Sequence, residues 1–166
     1  SQDRIKVRLI EGWSIEQIAD ELHLKMDIDT YAFISASKDD EFVYSIGISG
    51  ETAEGYLFPD TYIFLQSYTE KDIIKVMVNQ FFYNMRNYID KVNIDQEMDI
   101  HEITTLASII QGEAVDKSEM SVISSVYHNR LQKGMMLQAD PTIQYIIPGK
   151  NRRLWNKDLG IDNPYN

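Results

Sequence analysis

The stretch DRIKVRLIEGWSIEQIADEL, residues 3–22, changes its periodicity halfway along. Ile5, Val7 and Leu9 alternate onto one face, the pattern of a half-buried strand. Glu11, Gly12 and Trp13 read as a turn. Ser14 then stands as a helix N-cap, with Gln17 three residues on to complete a capping box. Ile15, Ile18, Ala19 and Leu22 recur at i, i+3, i+4 and i+7, the stripe of a short amphipathic helix. A strand feeding directly into a helix belongs to a protein of mixed α and β structure. A second short helix is expected around 30–36. This first module is too small to bury much apolar surface alone, so it must lean on later parts of the chain.

Further along, EFVYSIGI (41–48) reads as a strand, and GYLFPDTYIF (55–64) as a strand–turn–strand or an ordered loop broken at Pro59-Asp60. Thr69 and Asp72 open a long helix with an apolar face of Ile73, Ile74, Met77, Phe81, Phe82, Met85 and Tyr88. Asp99 caps the next helix, with Glu102 in the capping-box position. Another helix is expected over about 118–132. After Lys133-Gly134 the chain reads as irregular, with LQADPTIQY (137–145) forming a loop.

The 166 residues are 43% hydrophobic and 25% charged, a globular composition. No apolar run approaches the roughly 18 residues of a membrane span. The absence of cysteine excludes thiol nucleophiles, disulfides and thiolate metal sites. The net charge of −10 is uneven: residues 1–116 hold 9 Lys/Arg against 22 Asp/Glu (−13), and residues 117–166 hold 7 against 4 (+3). The acidic body argues against nucleic-acid binding. HEITT (101–105) opens like a zinc-protease motif, but Thr105 stands where its second histidine belongs. The three histidines His23, His101 and His128 leave little for a metal site, and the chain has neither a glycine-rich phosphate loop nor a G-x-S-x-G elbow.

The helix ending in ASIIQGEA (107–114) holds the chain's most pointed feature. Ile103, Leu106, Ala107, Ile110 and Ala114 share a face, and Glu113 falls on its border, close to Leu106 and Ile110. Desolvation there would raise the carboxyl pKa, which is what a general acid requires. The plainer alternatives are a side chain turned to solvent, or a pair with Lys117 at i+4. Gly112 is a second oddity. Glycine inside a helix costs about 1 kcal/mol relative to alanine, so its presence points to something approaching the helix closely.

EGYLFPDTY (54–62), LASIIQGEA (106–114), VYHNRLQKGMMLQADPTIQY (126–145) and NPYN (163–166) occur in the order found in the YceG-like family of endolytic murein transglycosylases, which the chain resembles over nearly its whole length. IEGWSIEQIADEL (10–22) resembles that family's small LysM-like module. The resemblance implies a LysM-like module over about 1–45 and an α+β YceG-like catalytic domain over 46–166, truncated at its C-terminus. It implies cleavage of the MurNAc–GlcNAc bond of peptidoglycan without water, leaving 1,6-anhydro-MurNAc ends and limiting nascent strand length. The family's catalytic glutamate is the second acidic residue of a motif resembling A-S-I-I-E-K-E; here it is Glu113. Gln111 replaces the first, which implies that a charge there is dispensable.

The remaining motif residues are expected in the substrate cleft: Tyr56 and Tyr62 stacking on sugars, and Asn129, Gln138, Asp140 and Thr142 hydrogen-bonding N-acetyl or hydroxyl groups. For Asp60 and Asp140 the structural alternative is a turn cap, while Leu57 and Phe58 read as core. No metal or organic cofactor is implied. The implied partners are glycan strands and peptidoglycan synthases. The implied location is the outer face of a bacterial cell membrane, reached through an N-terminal helix absent from this chain. A non-catalytic peptidoglycan-binding module is the competing reading, favoured by the LysM-like stretch. A nucleotide-dependent enzyme has no motif behind it.

Overall fold

In a computed structural model the chain is described over residues 3–92, 98–149 and 152–166. Strand β1 (Arg4–Arg8) is followed by helices α1 (Ile15–Met26), α2 (Thr30–Ser37) and α3 (Asp40–Ser45). Strand β2 (Thr61–Leu65) then leads into the long α4 (Glu70–Val92). Helix α5 (Ile100–Glu113), a 3-10 turn (Lys117–Glu119), α6 (Met120–Gln132), α7 (Asp140–Ile146) and a second 3-10 turn (Asp158–Gly160) complete the order. The α+β expectation holds, with helix dominant and a single antiparallel pair of strands as the sheet among the described residues.

The first helix starts where its caps dictate. Ser14 accepts from the Gln17 N–H, and the Gln17 side chain accepts from the Ser14 N–H at 2.9 Å. Asp29 caps α2 through the Ala32 N–H at 2.8 Å. Thr69 and Asp72 bond reciprocally at the start of α4, and Asp99 and Glu102 do the same at α5. Each arrangement satisfies N–H groups that have no partner inside the helix.

The chain divides into two compact units, Ser1–Thr104 and Thr105–Asn166. In the first, β1 and β2 pair antiparallel with Val7 opposite Tyr62 and Ile5 opposite Phe64. This pairing crosses the expected boundary at 45/46. A module ending there would lose the strand that closes its sheet, so β2 belongs with β1 and the first unit carries one continuous apolar cluster. Val7, Phe33, Phe64, Ile73, Ile74 and Met77 lie within it, each wholly excluded from solvent. Tyr88, expected on the apolar face of α4, is instead 59% exposed.

Two stretches differ from their sequence reading. EFVYSIGI is helical: α3 covers residues 40–45. Asp39 accepts from the Phe42 N–H at 3.0 Å, and Gly47 ends the turn at φ +91°, leaving one and a half turns in between. Phe42 and Val43 are buried side by side while Tyr44 points out, which is not alternation. The Lys71 ammonium lies 4.6 Å from the Phe42 ring centroid. In LQADPTIQY, residues 140–146 form α7, with Pro141 in its first turn, a position where its missing N–H removes no helical bond. Lys150 and Asn151 of the following stretch lie outside the described residues.

In the second unit the buried described side chains are Leu106, Tyr127, Ala139, Ile143 and Asp158. Truncation of a fully enclosed side chain in the first unit, Phe64→Ala, is expected to lower stability by about 3–5 kcal/mol. Chemical denaturation measures it, and a loss below about 1 kcal/mol would show that the cluster does not hold this unit together.

Candidate functional site

Glu113 is the last residue of α5 and is exposed. The desolvation expected from the helical wheel is therefore not supplied by its own helix. Ile110 and Ala114 are only half-buried, and Ala107 is exposed. The neighbouring glycine explains more. A Cβ on Gly112 would lie 2.9 Å from the Pro141 Cβ and 3.1 Å from its Cγ. The first turn of α7 thus sits directly against the backbone of α5, one residue before Glu113. This is the close approach that a helical glycine implied.

Around that contact the second unit assembles its polar residues. Tyr127 on α6 is 6% exposed. Burial first, and the Glu113 charge second, push its phenol up, while Arg130 acts in the opposite sense and Asp140 reinforces the rise. Arg130 is tied down: its Nη1 donates to the carbonyls of Met136 (3.0 Å) and Leu137 (3.1 Å) and to Gln138 Oε1 (3.0 Å). Gln138 is exposed and has a left-handed backbone at φ +53°.

Asp140 is exposed at the start of α7. The turn before it is fixed by Thr142, whose N–H and hydroxyl both donate to the Ala139 carbonyl, at 3.2 and 2.8 Å. The hydroxyl proton of Thr142 is thus committed to the turn. Asn129 is exposed on α6. Glu113 thus ends α5, Gln138 and Asp140 flank the start of α7, and the Gly112–Pro141 contact joins these two ends.

The two tyrosines have a different place. Tyr56 is 1% exposed and stacks parallel to His101 at 6.0 Å, its hydroxyl 2.8 Å from His101 Nδ1. It lines a pocket of about 420 Å3 in the first unit with Gly47, Ser49, Phe82, Asp99 and Ile100. Tyr62 is 7% exposed, stacks on Phe64, and donates to the Phe58 carbonyl at 2.6 Å. Burial, then Asp60, pushes its phenol well above the usual range. Neither ring presents an open face to a sugar, because both are needed in the core. The rest of EGYLFPDTY is also structural. Glu54 accepts from the Ile15 N–H at the start of α1, and Asp60 accepts from Leu9 through its carbonyl and from Gln80 through its carboxylate.

One arrangement was not read from sequence. Arg152 donates to both oxygens of Asp158, at 2.7 and 2.8 Å, and the Trp155 N–H donates to the same carboxylate. Asp158 is 4% exposed. These bonds, that of Arg152 first, hold its carboxyl down at about 2. The spacing R-x-x-W-x-x-D was the available signal, since a carboxylate three residues after an N–H can cap it. Among the described residues no cluster of His, Asp or Glu is arranged to hold a metal ion. None of the described helices is long and apolar enough to cross a membrane.

Fold and site together define an α+β protein with an exposed carboxyl group at the end of α5, beside the turn that opens α7. The profile of the YceG-like family matches residues 1–166, and the chain belongs to that family. It is 42% identical over 114 residues to the endolytic murein transglycosylase of Bacillus subtilis strain 168, covering 68% of this chain and 31% of that one. It is 28% identical over 181 aligned positions to the endolytic murein transglycosylase of Streptococcus pneumoniae D39, covering 94% and 33%. The crystal structure of a YceG-like protein from Listeria monocytogenes superposes with a TM-score of 0.85 at 32% identity, over 96% of this chain and 58% of that one. The chain spans about a third of the length of the curated relatives it matches.

Two outcomes are expected. Gly112→Ala gains helix propensity, but its methyl group meets Pro141, so a net loss of about 1–3 kcal/mol is expected by denaturation. A net gain would mean that α7 does not press on α5. Asp158 titrates at about 2 when folded and near its ordinary 3.8 when unfolded. A depressed carboxyl stabilises fully above the unfolded value and loses that contribution as pH falls from about 4 toward 2. Thermal melts across that window should therefore fall more steeply for the wild type than for Asp158→Asn. Parallel curves would contradict the pairing.

Proposed function

We propose that this chain is part of an endolytic peptidoglycan lytic transglycosylase in which Glu113 is the general acid and base. The observation that carries the reading is the placement of Glu113: exposed at the end of α5, beside the Gly112–Pro141 contact that brings the α7 turn to it. The names of the relatives supply the reaction class, strand cleavage in murein.

One carboxyl group suffices for this chemistry. Hydrolytic glycosidases use two, one to protonate the leaving oxygen and one for a nucleophile or a water. Here Glu113 gives its proton to the glycosidic oxygen as the C1–O bond of the muramyl residue breaks. The muramyl C6 hydroxyl attacks C1, the C1–O6 bond forms, and the C6 hydroxyl proton passes to the Glu113 carboxylate. The acid is regenerated, no water is consumed and the product is a 1,6-anhydro end. The muramyl N-acetyl group steadies the cation between the two steps. An exposed carboxyl group is reachable by a strand, and the bound sugars exclude water from it.

Gln138, Asn129 and Asp140 supply polar contacts to the strand, with Thr142 setting the turn that presents them. Tyr56 and Tyr62 support the fold instead. The β1–α1–α2–α3–β2 unit is the LysM-like part, extended to residue 65, and the full-length protein acts outside the cell membrane, anchored by an N-terminal helix. It works beside the synthases and limits the length of nascent strands.

Mass spectrometry of uncrosslinked strands digested by the full-length protein tests the assignment. Glu113→Gln is expected to reduce 1,6-anhydro ends by at least about a hundredfold with strand binding retained. Equal yields from both proteins would remove Glu113 from the chemistry. Binding without anhydro ends from either would favour a peptidoglycan-binding module.

A further inference from the structure

Arg130 on α6 has its guanidinium occupied by the protein itself. Its Nη1 spans the Met136 and Leu137 carbonyls and reaches Gln138 Oε1 at 3.0 Å. The last bond has a consequence for Gln138. An amide side chain has one accepting and one donating end, and arginine only donates. The oxygen must therefore face Arg130, whichever way the amide would otherwise turn. Turned this way, the side chain directs its NH2 group, rather than its oxygen, away from Arg130. The residue is exposed, so that group is open to a ligand. Its backbone is held at φ +53°, a region that a glycine would occupy without strain.

We propose that Gln138 presents its NH2 group to an amide carbonyl oxygen of the glycan strand, and that Arg130 is the positioning residue that turns the amide that way. The inference rests on the proposed strand-cleaving function. Since the muramyl acetamido group is engaged in the proposed reaction itself, two kinds of amide carbonyl remain on the strand, the C2 acetamido group of glucosamine and those of the stem peptides. An N–H donor pairs with either and not with an ammonium group, because two donors facing each other leave both unpaired.

Gln138→Glu separates this from a structural role. The carboxylate keeps an acceptor for Arg130, and strengthens that bond by its charge, but has no N–H to give. The wild type and Gln138→Glu are compared by kcat/KM on three substrates: native uncrosslinked strands, the same strands de-N-acetylated at glucosamine, and strands stripped of stem peptides. On native strands the variant is expected to be about tenfold or more weaker, with an unchanged thermal midpoint. If the contact is to the acetamido group, the deficit disappears or inverts on de-N-acetylated strands, where the new carboxylate pairs with the C2 ammonium. If it is to the peptide, the deficit disappears on stripped strands. Arg130→Lys, which lacks the planar fork, is expected to weaken native cleavage without any inversion on the amine-bearing strands.

The affinities of Glu113→Gln and of Glu113→Gln/Gln138→Glu for the same three strands are measured in parallel. They test the contact even where no bond is cut. Absence of anhydro ends from the wild type would overturn the catalytic reading, while a substrate-dependent affinity ratio would still support the contact. A deficit of the same size on all three strands, or none on any, would overturn the inference.

Discussion

The contact between Gly112 and Pro141 fixes the geometry of the second unit. No side chain stands between the α5 backbone and the proline ring, and a methyl group at that place would come within 2.9 Å of it. That approach sets the α7 turn beside the end of α5, and so sets Asp140 and Gln138 near Glu113. The helix gives up about 1 kcal/mol of propensity for it. Pro141 is suited to its side of the contact, since it sits in the first turn of α7, where a missing N–H is no loss. Two residues that normally interrupt helices are each used at the one place where the other needs them.

The Arg130 clamp depends on the same arrangement. A loop that must leave α6 at Gln132 and enter α7 at Asp140 has carbonyls with no helical partner, and Arg130 takes those of Met136 and Leu137. The guanidinium that organises this loop also turns the Gln138 amide. Folding and specificity therefore draw on one side chain, and a single N-R-L segment on α6 serves both.

Much of the first unit was legible in the sequence because its signals are local. Ser14 with Gln17, Thr69 with Asp72 and Asp99 with Glu102 mark helix starts that the structure places within a residue or so of expectation. The misreadings have equally local causes. In α3, β-branched and aromatic residues suggested a strand, while the Asp39 cap and Gly47 stop enclosed too few residues for a helical stripe to show. In α7, Asp140-Pro141 read as a turn, although the same pair is suited to opening a helix. The tyrosines of EGYLFPDTY were read as sugar platforms because aromatic residues in a motif suggest binding. Tyr62 is buried on the strand that pairs with β1, and Tyr56 against Phe81, Phe82 and His101, long-range contacts that no local pattern reveals. The border position of Glu113 was legible, but its exposure was not, since exposure is set by what other elements leave uncovered.

In the proposed cleavage the sugar's own hydroxyl takes the place of water, so one carboxyl group that a strand can reach suffices. The most direct measurement is digestion of glycan strands by the full-length protein in water enriched in oxygen-18, with the new muramyl ends weighed by mass spectrometry. The account predicts ends about 18 mass units lighter than the hydrolysed form and free of the heavy isotope. Heavy oxygen at the muramyl C1 would show that water is the nucleophile, and that Glu113 works with a second group in a hydrolase.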